Sequence, residues 1–173
     1  MHKSSALNAK KAISQIESEL PESPVVLDVG GRDAGKQDRS YRRFMPFAGE
    51  YFIADINEGA NVTHLMEEEY VLPFEEGSID LIISGQTLEH VKNPFRLVAE
   101  MKRVLKDNAM MILIAPSEGR NHDEIDCWRF MRDSFRAIAE ECDLVVVDDW
   151  IYSGHSGRRD NQWNDHVAIL RKP

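Results

Sequence analysis

The sequence holds two cysteines, Cys127 and Cys142, without the paired spacing of a disulfide framework or a cysteine zinc site. No apolar run approaches the roughly 20 residues that a membrane span needs. The opening stretch from Met1 to Leu20 also lacks the continuous apolar segment of a secretion signal. Positive charge is in deficit: 21 Lys and Arg stand against 30 acids, for a net charge of −9. Such a field repels phosphate backbones and anionic lipid heads, so neither nucleic acid nor a membrane is expected as a partner. Glycine and proline are few, 10 and 7 in 173 residues, which leaves no room for a low-complexity or collagen-like chain. These absences leave an ordinary globular protein, expected to be soluble and cytoplasmic. With 42% apolar residues it is long enough to bury one core and too short for two, so a single domain is expected over 1–173.

Apolar residues recur at Ala6, Ala9, Ile13, Ile16 and Leu20, the three-or-four spacing of an amphipathic helix, before Pro21 and Pro24 break it. This N-terminal helix, within 1–21, is expected to cover a core that runs from 25 to 171. Short apolar runs then alternate with helical patterns. Val25 to Val29, Tyr51 to Ile56, Val62 to Leu65, Ile79 to Ser84, Met110 to Ala115 and Leu144 to Asp148 read as strands, and His166 to Leu170 as the last. Asn93-Pro94 suits the cap and first position of a helix carrying Phe95, Val98, Met101, Val104 and Leu105. Asp133-Ser134 introduces another, with Phe135, Ile138, Ala139 and Cys142 on one face. The stretch from Ser153 to Asn164 is too short for a helical crossover, so the last strand should run antiparallel. The expected fold is α/β: a Rossmann-like, doubly wound, mostly parallel seven-stranded sheet with an antiparallel last strand. Ligands of such sheets bind beyond the carboxyl ends of the strands.

The loops at those ends carry the chemistry. Asp28-Val29-Gly30-Gly31-Arg32-Asp33-Ala34-Gly35 follows the first strand as a small-residue turn whose backbone can approach a ligand. Asp55 ends the second strand, where a carboxylate can accept two hydrogen bonds from a ribose diol. The G-x-G-x-x-G fingerprint of nicotinamide-dependent oxidoreductases is missing. No metal site is expected, since the clusters Glu67-Glu68-Glu69 and Glu75-Glu76 have no His or further acid at fixed spacing.

With VVLDVGG, YFIADI, LPFEEGSIDLIISGQTLEHV, EMKRVLK and MMILIAPS in this order, the chain from about Val25 to Leu144 resembles the class I S-adenosylmethionine-dependent methyltransferases, in particular the group labelled methyltransferase type 11. Asp126-Cys127-Trp128-Arg129-Phe130 is similar to a D-x-W-R-F stretch of some members. The resemblance implies S-adenosylmethionine as cofactor. It implies Asp28, Gly30 and Gly31 at the methionine part, Asp55 at the ribose, Glu67 or Glu68 against the adenine, and Ser84 and Gln86 near the sulfonium. The chain departs from the family's D-x-G-x-G-x-G at Arg32 and Ala34, so that Arg32 either points away or takes up part of the pocket. Where the family has P-G-G, it has Asp107-Asn108-Ala109, in which Asn108 tolerates a left-handed backbone.

An oxygen or nitrogen acceptor can need its proton removed. His122 and Asp126 after the fifth strand are placed for this, with His155 after the sixth as the next choice. For each histidine, a solvated or structurally bonded imidazole stands beside the catalytic reading, and for His90 the structural role is the expected one. Gly154, Gly157, Arg158, Arg159 and Trp163 lie on a loop that reads either as a lid over an anionic or sugar-like acceptor or as a surface hairpin. Arg39, Arg42 and Arg43 form a second basic island that could steer such a ligand. Two functions therefore stand open. One is methyl transfer to a small-molecule or glycan-type acceptor; the other is a non-catalytic module that keeps the fold and binds cofactor weakly or not at all.

Overall fold

The computed structural model describes residues 3–33, 40–154 and 163–173. The expectations for Ala34, Gly35, Arg39, His155, Gly157, Arg158 and Arg159 lie outside those residues.

The chain opens with α1 (Lys3–Ile16), which closes in a 3-10 turn at Glu17–Glu19, short of the expected Leu20. The strands are β1 (Val25–Val29), β2 (Glu50–Asp55), β3 (His64–Leu65), β4 (Ile79–Gly85), β5 (Leu105–Glu118), β6 (Val145–Gly154) and β7 (Trp163–Arg171). Helix α2 (Pro94–Val104) connects β4 to β5, and α3 (Ser134–Glu141) lies between β5 and β6. The seven strands form one sheet in the order β3-β2-β1-β4-β5-β7-β6. β1 to β5 pair in parallel, and β7 runs antiparallel to both β5 and β6, as the short connection before it requires.

Two-sided burial explains why these runs are strands. In β5, Met111, Leu113 and Ala115 face one core together with Leu97, Met101, Phe135 and Ile138 of α2 and α3. The alternate residues Met110, Ile112 and Ile114 face a second core with Ala9, Ala12, Ile13 and Ile16 of α1. The N-terminal helix therefore covers the sheet face opposite α2 and α3. It is also anchored by polar contacts, Ser5 Oγ to Tyr41 Oη at 2.6 Å and the Trp150 indole N–H to Asn8 Oδ1 at 3.2 Å.

Local chemistry sets the element ends. The Asn93 side chain accepts from the Arg96 N–H at 3.1 Å and Pro94 occupies the first turn, so α2 starts where the sequence places it. Asn108 takes φ 63° within the stretch of β5 where the register shifts against β4, between Ile79 and Leu81. β5 is consequently longer than the apolar run Met110 to Ala115, because β7 offers it partners as far as Glu118. β6 and β7 extend past their apolar runs for the same reason: each supplies the other's ladder.

Truncating Ile112, fully buried on β5, to alanine is expected to lower unfolding stability by about 2–5 kcal/mol. Asn93→Ala should cost about 1 kcal/mol through the lost cap. Urea denaturation of both variants, with unchanged slope, checks the order.

Candidate functional site

The carboxyl ends of β1, β2 and β4 open into a cavity of about 640 Å³, within the usual range of small-molecule sites. Its floor is the turn after β1. Gly30 has φ 76°, its N–H donates to Ala54 O at 2.8 Å, and a Cβ built there would stand 2.2 Å from Thr87 Oγ1. At Gly31 a Cβ would meet the Asp28 carboxylate at 2.4 Å. Both positions thus need glycine for close approach, and at Gly30 for the left-handed backbone as well. Asn61 clamps the turn from the β2–β3 connection: its Nδ2 donates to Gly31 O at 2.9 Å and its Oδ1 accepts from the Asp33 N–H at 2.9 Å.

Asp55, at the end of β2, lines the cavity and is 9% exposed. Its Oδ1 accepts from the Asn57 N–H at 2.8 Å, and Arg32 Nε stands 4.0 Å away at the cavity mouth. Gln86 lines the cavity from the end of β4 with φ 60°; its Nε2 donates to Asp165 Oδ1 at 3.1 Å. Asp28 is buried, accepts from the Tyr51 hydroxyl at 2.8 Å, and faces an adjoining smaller cavity that also touches Gly30, Gly31 and Gln86. Ser84 is turned inward, donating to Val29 O at 2.9 Å and tying β4 to β1, so it lies behind the cavity wall. Glu67 and Glu68 are exposed and stand off the wall; Met66, buried, and Glu69 line it instead. The structure therefore brings Gly30, Asp55 and Gln86 to one cavity, sets Asp28 and Gly31 beside it, and leaves Ser84, Glu67 and Glu68 out.

The loop after β5 closes the far side and is organised by Arg129. Its guanidinium grips both oxygens of Asp126, and its Nε and Nη2 donate to Gly119 O at 3.0 Å and Arg120 O at 2.8 Å. The Arg129 guanidinium outweighs burial and, helped by hydrogen bonds from His122, holds the Asp126 carboxyl well below the usual carboxylate range. Asp126 stays ionised and acts as a positioning group. Its Oδ2 accepts from His122 Nδ1 at 3.1 Å, which fixes the proton on Nδ1 and leaves Nε2 open. Trp163, on the stretch read either as a lid or as a surface hairpin, lies edge-on to the His122 ring at 4.9 Å. The loop is stapled to the segment after β4, where Leu88–His90 form a 3-10 turn: Cys127 N–H donates to Glu89 O at 2.7 Å and the Trp128 indole to Val91 O at 2.8 Å.

Sequence reading passed over Asn61, Met66, Thr87 and Glu89. Only Glu89 carried a signal, as an acid inside an otherwise apolar Leu88-Glu89-His90-Val91 run. Its carboxyl is fully buried, and burial pushes it up to about 8.

The strand order 3-2-1-4-5-7-6, with a glycine turn after the first strand and an acid closing the second, is that of the class I methyltransferase fold, and this chain has that fold. Residues 48–113 match the family described as a methyltransferase domain. An uncharacterised methyltransferase from Mycobacterium sp. (strain JLS) is 33% identical over 98 residues, 54% of this chain and 39% of that protein. The chain thus spans about two-fifths of the length of that relative. Among solved structures, the Burkholderia thailandensis 1,6-didemethyltoxoflavin-N1-methyltransferase, with 1,6-didemethyltoxoflavin and S-adenosylhomocysteine bound, superposes with a TM-score of 0.73 at 15% identity, covering 98% of this chain and 79% of its own. The [4+2]-cyclase SpnF superposes at 0.69 with 12% identity, over 95% of this chain and 80% of its own, so the fold alone does not specify the reaction.

The Glu89 shift has a sign that can be tested. In the folded chain Glu89 keeps its proton to about pH 8, whereas unfolded it ionises near 4.5. The folded state therefore holds the extra proton, and stability falls as pH rises through this window. Burial lowers the pKa of His166 from 6.5, which opposes that slope only below about pH 6.5. Between pH 6.5 and 8, chelator-treated protein should lose stability at up to about 1.4 kcal/mol per pH unit, and Glu89→Gln should flatten the curve. Urea midpoints across this range provide the measurement.

Proposed function

We propose that this chain binds S-adenosylmethionine in the 640 Å³ cavity and transfers its methyl group to a small-molecule or sugar-like acceptor. The observation that carries this reading is the convergence of Gly30, Asp55 and Gln86, from three strand ends, on one cavity of the right size. The residues fit the cofactor. The glycines let the turn pack directly against Thr87 and Asp28, which keeps its backbone at the cavity floor, and the Asp55 carboxylate is positioned for a vicinal diol. Apolar Val29, Met66, Val91 and Leu97 line the same space and suit an adenine ring. When bound, the cofactor supplies an electrophilic methyl carbon on a sulfonium, open to in-line attack by the acceptor.

The chain's own task is to bind, orient and exclude water. Gln86 is locked by its bond to Asp165 and presents a fixed wall between the cofactor space and the smaller cavity. The acceptor side is formed by Asp123, Glu124 and Ile125 of the Arg129-braced loop, a polar rim fitted to a hydroxylated acceptor. His122, aimed by Asp126, carries an open nitrogen beside these residues, as does His90, which lines the cavity.

One observation favours the second reading, a module with weak cofactor binding: Arg32 stands beside Asp55 at the cavity mouth. The two readings part on a single measurement. Calorimetric titration with S-adenosylmethionine should show micromolar binding, weakened about 10- to 100-fold by Asp55→Ala. Arg32→Ala should leave binding equal or tighter, because a contact at 4.0 Å to a partly exposed guanidinium is worth little. Absence of binding at millimolar cofactor in the unaltered chain and in Arg32→Ala sinks the enzyme reading and leaves the module.

A further inference from the structure

Three ligand-type side chains meet where the segment after β4 touches the loop after β5. Glu89 and His90 come from the 3-10 turn and His122 from the loop, and one ligand atom from each lies within 4.8 Å of the others. The carboxylate of Glu89 is 0% exposed, and neither of its oxygens has a hydrogen-bond partner. His90 Nε2 stands 3.8 Å from its Oε1. A carboxyl removed from water and left without hydrogen bonds costs stability, so its retention opposite two imidazoles calls for a further partner.

The imidazoles are already turned for one. His90 Nδ1 donates to the backbone oxygen of Ile125 at 2.5 Å, and His122 Nδ1 donates to Asp126 at 3.1 Å. Both protons are thereby held on Nδ1, and both rings present an Nε2 lone pair. This is the outer-shell arrangement by which a carbonyl or carboxylate orients a metal-binding histidine. The rings stand 5.1 Å apart, centroid to centroid. Ligands about 2.1 Å from a tetrahedral ion are separated by roughly 3.4 Å, so the cluster needs only side-chain rotation to close.

We propose that Glu89, His90 and His122 form a binding site for a divalent transition metal ion of the zinc type, with Asp126 and the Ile125 carbonyl orienting the two imidazoles. Two nitrogen ligands and one carboxylate suit zinc or a neighbouring transition metal, whereas magnesium and calcium favour all-oxygen shells. Three protein ligands leave coordination positions open, and His90 also lines the cavity. On the proposed methyl-transfer reading, and only there, this narrows the acceptor to one that offers the ion a hydroxyl or carboxylate oxygen.

The test uses the full chain stripped with a chelator, titrated with Zn²⁺ by calorimetry and with Co²⁺ by visible absorption. One saturable equivalent is expected, with the intense visible bands of low-coordinate Co²⁺. Glu89→Gln and His122→Ala should each weaken binding at least about 10-fold. Cys127→Ser, which removes the exposed thiol outside the cluster, should leave binding unchanged. Glu89→Gln keeps the side-chain shape, so its loss of binding reads out the ligand without a folding defect. The proposal is overturned if no saturable binding occurs, if both cluster variants bind as the unaltered chain does, or if Cys127→Ser alone abolishes binding. Cofactor titration of Asp55→Ala is a separate measurement, so failure of the methyl-transfer reading leaves the metal result standing.

Discussion

Everything that gathers at the cavity depends on β4 and β5 being buried on both faces. A strand flanked by helices on either side has no polar face to turn to water, so it must sit in the middle of the sheet. Ile82, Ile83, Met111, Ile112 and Leu113 are fully buried for this reason. Once those strands are central and parallel, their carboxyl ends lie on one edge, and each loop that leaves them opens on the same side. The Gly30 turn, Asp55, Gln86 and the loop beyond β5 meet because the core leaves them no other edge.

On that edge the chain uses two devices. Around the β1 turn, close backbone approach is obtained by omitting side chains, and Asn61 then holds the bare turn by two hydrogen bonds. Opposite it, order comes from charge. Arg129 satisfies two backbone carbonyls and a buried carboxylate at once, and through that carboxylate sets the ring of His122. A bidentate arginine suits this task because its planar fork meets a carboxylate in one geometry. The first device packs the turn close against Thr87 and Asp28; the second fixes the groups on the facing loop.

Much of the fold was legible from spacing. The alternating apolar runs marked the strands, Asn93-Pro94 marked the start of α2, and the short final connection required β7 to be antiparallel. Strand lengths were less visible, because β5, β6 and β7 lengthen through their ladders with one another, and a ladder depends on a partner far away in sequence. At the cavity, Gly30, Asp55 and Gln86 were readable since each stands at the carboxyl end of a strand. The wall after β3 was not: the chain there turns Glu67 and Glu68 to solvent and Met66 inward, and that choice rests on packing against the core.

Taken alone, the order of residues settled the fold class, the edge of the sheet that bears the cavity, and the glycine and acid that line it, because periodicity and strand-end position are local properties. It could not show that Glu89 and His90 stand against His122, or that Asp126 serves Arg129 and His122 together. Those groups come from two loops separated by a helix and a strand, and their meeting exists only once β4 and β5 pair side by side and the second loop is stapled back onto the first.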